Sequence, residues 1–199
     1  MQSEGALARI LVTGAAGFIG RAVCRTLIGS GHRVHGITRR PAEPIADVAM
    51  RPIGDIGPQT DWSEYLSGID TIVHLANRAH RRAAERDLAD EAAAGAALAR
   101  AAAACGVRRF VYMSSIRAMG EATAPGVPFR PGDPARPHDA YGRAKLATER
   151  ALTAAARESG LELVILRPPL VYGPGVKGNL RALIRLVASG LPLPFAVID

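Results

Sequence analysis

Thr13-Gly14-Ala15-Ala16-Gly17-Phe18-Ile19-Gly20 is the stretch from which the fold can be read. A short apolar run, Ala8–Thr13, leads into it, and a segment with helical spacing follows from Phe18 to Ser30. Phe18, Val23, Leu27 and Ile28 are that helix's core candidates, and Gly31 its stop. A buried parallel strand that turns on glycines directly into a helix is built to hold a phosphate. Gly14 permits the tight turn, Gly17 lets backbone approach a pyrophosphate, and Gly20 allows close helix–strand packing. The helix end supplies N–H donors and a partial positive charge. The same turn could also bind nothing.

Working outward, strands are expected at Arg33–Ile37, Val48–Arg51, Thr71–Leu75, Arg109–Met113 and Glu162–Leu166. Pro52 limits the third strand. Asp61-Trp62-Ser63-Glu64 resembles a capping box opening a short helix. The alanine-rich stretch from Arg82 to Cys105 has high helix propensity. The proline-rich stretch Glu121–His138 reads as a loop, and Asp139 caps a helix from Ala140 to Ser159. Asn179–Ser189 is a last amphipathic helix. Strand–helix alternation predicts an α/β chain: a Rossmann-like, doubly wound parallel sheet with helices on both faces. Residues 1–175 are expected to form the dinucleotide-binding domain and 176–199 the start of a further lobe.

The 199 residues carry a net charge of +7, with 25 basic residues. Lysine occurs twice, at Lys145 and Lys177, so the charge is almost wholly scattered arginine. Aromatics make up 5% and do not alternate with basic residues, which argues against nucleic-acid binding. Cys24 and Cys105 read as buried small hydrophobes inside helices. The five histidines lack ligand spacing, so no metal is expected. Without a signal peptide or a bilayer-length apolar run, the expected location is cytoplasmic, with no membrane insertion.

The second strand ends in Thr38-Arg39-Arg40, where an acid would hold the ribose of NAD. A guanidinium there can instead pair with the 2′-phosphate of NADP, so NADP(H) is favoured over NAD(H); solvated surface arginines are the alternative. Asp55-Ile56 follows the third strand, where an adenine could rest. His74-Leu75-Ala76-Asn77 ends the fourth with small and apolar residues, suited either to close passage of a cofactor or to plain packing. Ser114-Ser115 ends the fifth. Tyr141 and Lys145, at i and i+4, share a helix face. A nearby ammonium lowers a phenol's pKa. A tyrosine so tuned can exchange a proton with a sugar hydroxyl or ketone while a nicotinamide exchanges hydride, and a serine can bond the same oxygen. An amphipathic surface pair is the plainer reading of the two residues alone.

Together T-G-A-A-G-F-I-G, G-D-I, H-L-A-N, F-V-Y-M-S-S, Y-G-R-A-K and L-R-P-P-L-V-Y-G-P-G resemble an extended short-chain dehydrogenase/reductase of the NAD-dependent epimerase/dehydratase type. The resemblance implies a catalytic triad of Ser115, Tyr141 and Lys145, with Lys145 also on the nicotinamide ribose. Gly14, Gly17, Phe18, Ile19 and Gly20 would line the pyrophosphate, Asp55 and Ile56 the adenine, Leu75 and Ala76 the cofactor's middle, and Pro168 the nicotinamide. S-S-I-R-A-M-G-E and R-P-P-L-V-Y-G-P-G-V-K-G-N-L resemble bacterial polysaccharide-synthesis enzymes acting at C4 of UDP-linked N-acetyl sugars. Asn179 would contact that nucleotide-sugar substrate's diphosphate, and Ser115 its sugar. Relatives pair through the two long helices, which implies a homodimer.

Three positions depart from the family pattern: Ala92 stands where many relatives have Asn, Met119 where they have Tyr, and Thr38-Arg39 where they have an acid. The last favours a reductase with exchangeable NADPH over the alternative, a UDP-sugar 4-epimerase with retained NAD. A non-catalytic NADP-binding sensor or assembly module is the reading from another class. Relatives continue into a smaller lobe that closes over the nucleotide sugar. The expectation is a truncated C-terminal lobe, and a chain that binds NADP(H) but turns over sugar nucleotides poorly.

Overall fold

The computed structural model describes residues 7–77, 85–176 and 178–190, apart from the side chains of 85–88, 178 and 179. Six strands form one sheet: β1 (Arg9–Thr13), β2 (Arg33–Thr38), β3 (Val48–Pro52), β4 (Thr71–His74), β5 (Arg109–Met113) and β6 (Glu162–Leu166). Their order is β3-β2-β1-β4-β5-β6, and every pairing is parallel. The chain winds outward in both directions from β1, so a crevice opens where β1 meets β4.

Helices α1 (Phe18–Gly29), α2 (Ser63–Leu66), α3 (Glu85–Ala104) and α4 (Ala140–Ser159) cover the sheet. Strand β1 shows why its run is apolar without alternation: Ile10 and Val12 pack with Cys24 of α1 on one face, while Leu11 joins Leu98 of α3 and Leu152 of α4 on the other. Helices α3 and α4 lie close together, with Gly95 facing Thr148 and Leu152. Helix α1 stops at Gly31, whose N–H donates to Ile28 O at 2.8 Å while His32 N–H donates to Leu27 O at 3.1 Å.

The chain divides into two compact units, Met1–Pro169 and Leu170–Asp199. The second contains α5 (Gly178–Ala188). Asn179 lies in α5, but its side chain is outside the described residues, as are residues 82–84 of the expected long helix. No helix of the described residues is long and apolar enough to cross a membrane.

Three local expectations differ from what is seen. Cys24 is buried, and that burial raises its thiol to about 11, but Cys105 is exposed, one residue beyond the end of α3. The capping box does not form. Asp61 Oδ1 accepts from Ser63 N–H at 2.9 Å, a tight local turn, and α2 begins after Trp62 with no side-chain cap. Glu64 is drawn instead to Arg51 of β3, at 3.3 Å. β3 runs one residue past the expected Arg51, through Pro52, and ends there; as an edge strand it tolerates the missing donor.

Leu152 is 0% exposed between α3, α4 and the sheet. Leu152→Ala is expected to lower unfolding free energy by about 2–5 kcal/mol in urea denaturation.

Candidate active site

The carboxyl ends of β1, β2, β4 and β5 carry the residues picked out above. Gly14 has φ +71°, and a Cβ there would lie 2.9 Å from the backbone nitrogen of Ala76. A side chain would therefore push the glycine turn off the end of β4. Thr13 stitches the two strands together. Its Oγ1 accepts from the N–H groups of Leu75 and Ala76, at 3.2 Å each, and shares a 2.8 Å hydrogen bond with His74 Nδ1. Helix α1 opens at Gly17 with no side-chain cap and no acid in its first turn. The N–H groups of that turn, at Phe18, Ile19 and Gly20, thus lack both an intrahelical acceptor and a carboxylate competitor. Such an end fits the diphosphate of a dinucleotide.

Arg39 and Asp55 meet at this edge: Arg39 Nη1 lies 3.5 Å from Asp55 Oδ1, and both side chains are exposed. An exposed pair of this kind contributes little and can be exchanged for a phosphate at small cost. Ile56 packs against the apolar cluster on the α3 and α4 face.

Ser115 stands just beyond β5 and caps a 3-10 turn over Ile116–Ala118, its Oγ accepting from Arg117 N–H at 3.3 Å. Ile116 N–H donates to Pro168 O at 3.0 Å, which extends the β5–β6 pairing and sets Pro168 beside Ser115. Asp139 caps α4 by accepting from Gly142 N–H at 2.7 Å, and its other oxygen pairs with Arg117 at 2.7 Å. Gly142 has no side chain to collide with the Arg117 carbonyl, so the first turn of α4 lies against the Ser115 turn. These contacts bring Tyr141 to Ser115.

The Ser115 and Asn77 side chains lie near the Tyr141 phenol and favour its ionised form. The expected lowering of its pKa by Lys145 is not what this geometry gives. Burial holds the phenol above its ordinary value, the charge of Glu91 adds to this, and the nearby Ser115 and Asn77 side chains only partly oppose it. The Lys145 ammonium is 5.9 Å from the Tyr141 ring centre. It donates to the Tyr112 hydroxyl at 3.1 Å and to the Met113 carbonyl at 3.3 Å. Burial lowers the pKa of Lys145, and Glu91 counters that.

Several participants escaped the sequence reading. Glu149 is buried and takes a bidentate grip from Arg167, at 2.9 and 2.6 Å, while the Ser114 hydroxyl donates to the same carboxylate. Arg167 also reaches Met119 Sδ at 2.8 Å. The signal was present: Glu149 is four residues past Lys145 on one helix stripe, an acid on the buried face. Thr13, His74, Asn77, Glu91 and Tyr112 belong to the surroundings of the site as well.

Burial drives the His74 pKa down from 6.5 to about 3, with the Lys145 charge adding to it. The folded chain keeps this imidazole neutral where the unfolded chain protonates it. Stability therefore falls as pH drops from about 6.5 toward about 3. His74→Gln should flatten the pH dependence of the urea midpoint across that window, by at most about 1.4 kcal/mol per pH unit.

Fold and edge together define a dinucleotide-binding α/β protein with a serine, a tyrosine and a lysine at one end of its sheet. Residues 10–197 match the NAD dependent epimerase/dehydratase family, and the chain belongs to that family. It is 40% identical over 195 residues to a UDP-glucose 4-epimerase from Vibrio cholerae, covering 95% of this chain and 60% of that protein. It is 31% identical to a 3 beta-hydroxysteroid dehydrogenase/Delta 5-->4-isomerase from Mycobacterium tuberculosis, covering 92% of this chain and 52% of that one. Among solved structures, a UDP-glucuronic acid 4-epimerase from Bacillus cereus in complex with NAD superposes with a TM-score of 0.78 at 27% identity, covering 93% of this chain and 65% of that one. The chain thus spans about half to two thirds of the length of these proteins.

Proposed function

We propose that this chain carries the cofactor site and catalytic residues of an NADP(H)-dependent oxidoreductase or epimerase acting at C4 of a nucleotide-diphosphate sugar, of the UDP-N-acetylhexosamine class. The observation that carries the reading is the packing of the first turn of α4, which bears Tyr141, against the Ser115 turn, at the sheet edge that also bears the glycine turn. A bound nicotinamide dinucleotide supplies or accepts the hydride. The chain's residues do the rest. The first-turn amides of α1 hold the diphosphate, and Arg39 leaves Asp55 to grip the 2′-phosphate. Tyr141 moves a proton at the C4 oxygen, and Ser115 donates to that same oxygen.

A neutral phenol at Tyr141 can donate to a carbonyl oxygen, as reduction requires. A second reading, 4-epimerisation with retained NAD, draws on the UDP-glucose 4-epimerase from Vibrio cholerae.

Nicotinamide fluorescence titration of the purified chain is expected to show NADPH binding more tightly than NADH. Arg39→Ala should erase most of that preference, a loss of about tenfold or more. Equal affinity for the two would favour the epimerase reading, and binding of neither would refute the cofactor site. Tyr141→Phe should keep NADPH affinity within about twofold while lowering sugar turnover by roughly 10²–10⁴. Turnover unchanged in Tyr141→Phe would refute Tyr141 as the proton carrier, and NADPH binding with no turnover in the parent chain would favour the non-catalytic reading.

A further inference from the structure

Lys145 is 2% exposed, so its ammonium has given up nearly all its water. An ion in that position needs an opposite charge and a full set of acceptors. The Tyr112 hydroxyl and the Met113 carbonyl provide two acceptors, at 3.1 and 3.3 Å. Neither carries charge. Two acids face Lys145. Glu149, one turn along α4, is engaged by Arg167 and Ser114. Glu91 of α3 has its Oε1 3.6 Å from Lys145 Nζ, and its own side chain is only 13% exposed. The remaining titratable neighbours are Tyr141 on α4, Tyr112 on β5 and His74 on β4, all neutral at pH 7 in this fold.

We propose that Glu91 is a positioning residue of this site: its carboxylate, reaching across from α3, holds the Lys145 ammonium against Tyr112 and Met113 and keeps it charged. This rests on the reading of Lys145 as a functional group of the site. Glu91 stands next to Ala92, the position where the chain lacks a polar side chain that many relatives carry. The helix therefore still presents one polar group to the lysine, from a neighbouring position. The arrangement has a second consequence. The same carboxylate disfavours a phenolate at Tyr141, so Glu91 holds the pair in one protonation state, ammonium beside neutral phenol. That is the state a proton donor needs.

Only two lysines occur in the chain, which makes the test direct. In a Lys177→Arg background the single 13Cε-lysine NMR signal is that of Lys145. Its titration midpoint is followed in the cofactor-free chain. Glu91→Gln is expected to lower that midpoint by about one pH unit or more, and Glu91→Asp to lower it less. A midpoint unchanged by Glu91→Gln, in a variant that keeps the parent's circular dichroism, would overturn the proposal. Should Glu91→Gln fail to fold, Glu91→Asp decides: a lowered midpoint supports the pairing and an unchanged one refutes it. Because no cofactor is present, failure here is separable from failure of the functional reading, which would appear as lost NADPH binding in the parent chain.

Discussion

Burying an ammonium is the constraint on which the arrangement of this sheet edge depends. The cost of taking a charge out of water is several kcal/mol unless partners replace the water. At Lys145 the ammonium and its partners come from three elements. β5 supplies Tyr112 and Met113, α3 supplies Glu91, and α4 supplies the lysine itself. The helices cannot slide on each other or on the sheet without leaving the charge unpaired. The extensive packing of α3 on α4 around Gly95, Thr148 and Leu152 fixes the same register by apolar contact.

A second buried charge lies one turn along α4. Glu149 is held by Arg167, which follows β6, and by Ser114, which follows β5. The two anchors share one helix, so the first turn of α4, which bears Tyr141, is placed from behind by ion pairs. From the front it is placed by the Asp139–Arg117 pair and the close approach at Gly142. Ser115 and Tyr141 meet because both ends of this frame are pinned. At the other side of the crevice Thr13 ties the glycine turn to β4.

Most of the architecture was legible in the residues. The strand-to-glycine-turn-to-helix sequence, the capped start of α4 at Asp139 and the apolar runs of β5 and β6 carry local signals that tertiary contacts reinforce. Less legible were features set by partners distant in sequence. Asp61-Trp62-Ser63-Glu64 has the letters of a capping box, yet Arg51 takes the glutamate. Cys105 has helical neighbours, yet it falls just past the end of α3. At the site, Tyr141 and Lys145 were visible as a spacing. The direction of the Tyr141 pKa was not, because burial and Glu91 are supplied by other elements. Glu91 itself lies in a run of alanines and small residues, where nothing in the local pattern sets it apart from a solvated helix acid.

In the proposed function the β1–β4 crevice, Arg39 and the Ser115–Tyr141–Lys145 edge form one dinucleotide site. A crystal structure of the chain with NADPH tests this most directly. The diphosphate is expected on the first turn of α1, the 2′-phosphate on Arg39 with Asp55 released, and the nicotinamide end beside Tyr141 and Pro168. A dinucleotide bound elsewhere, or one whose nicotinamide end lies away from Tyr141, would contradict it.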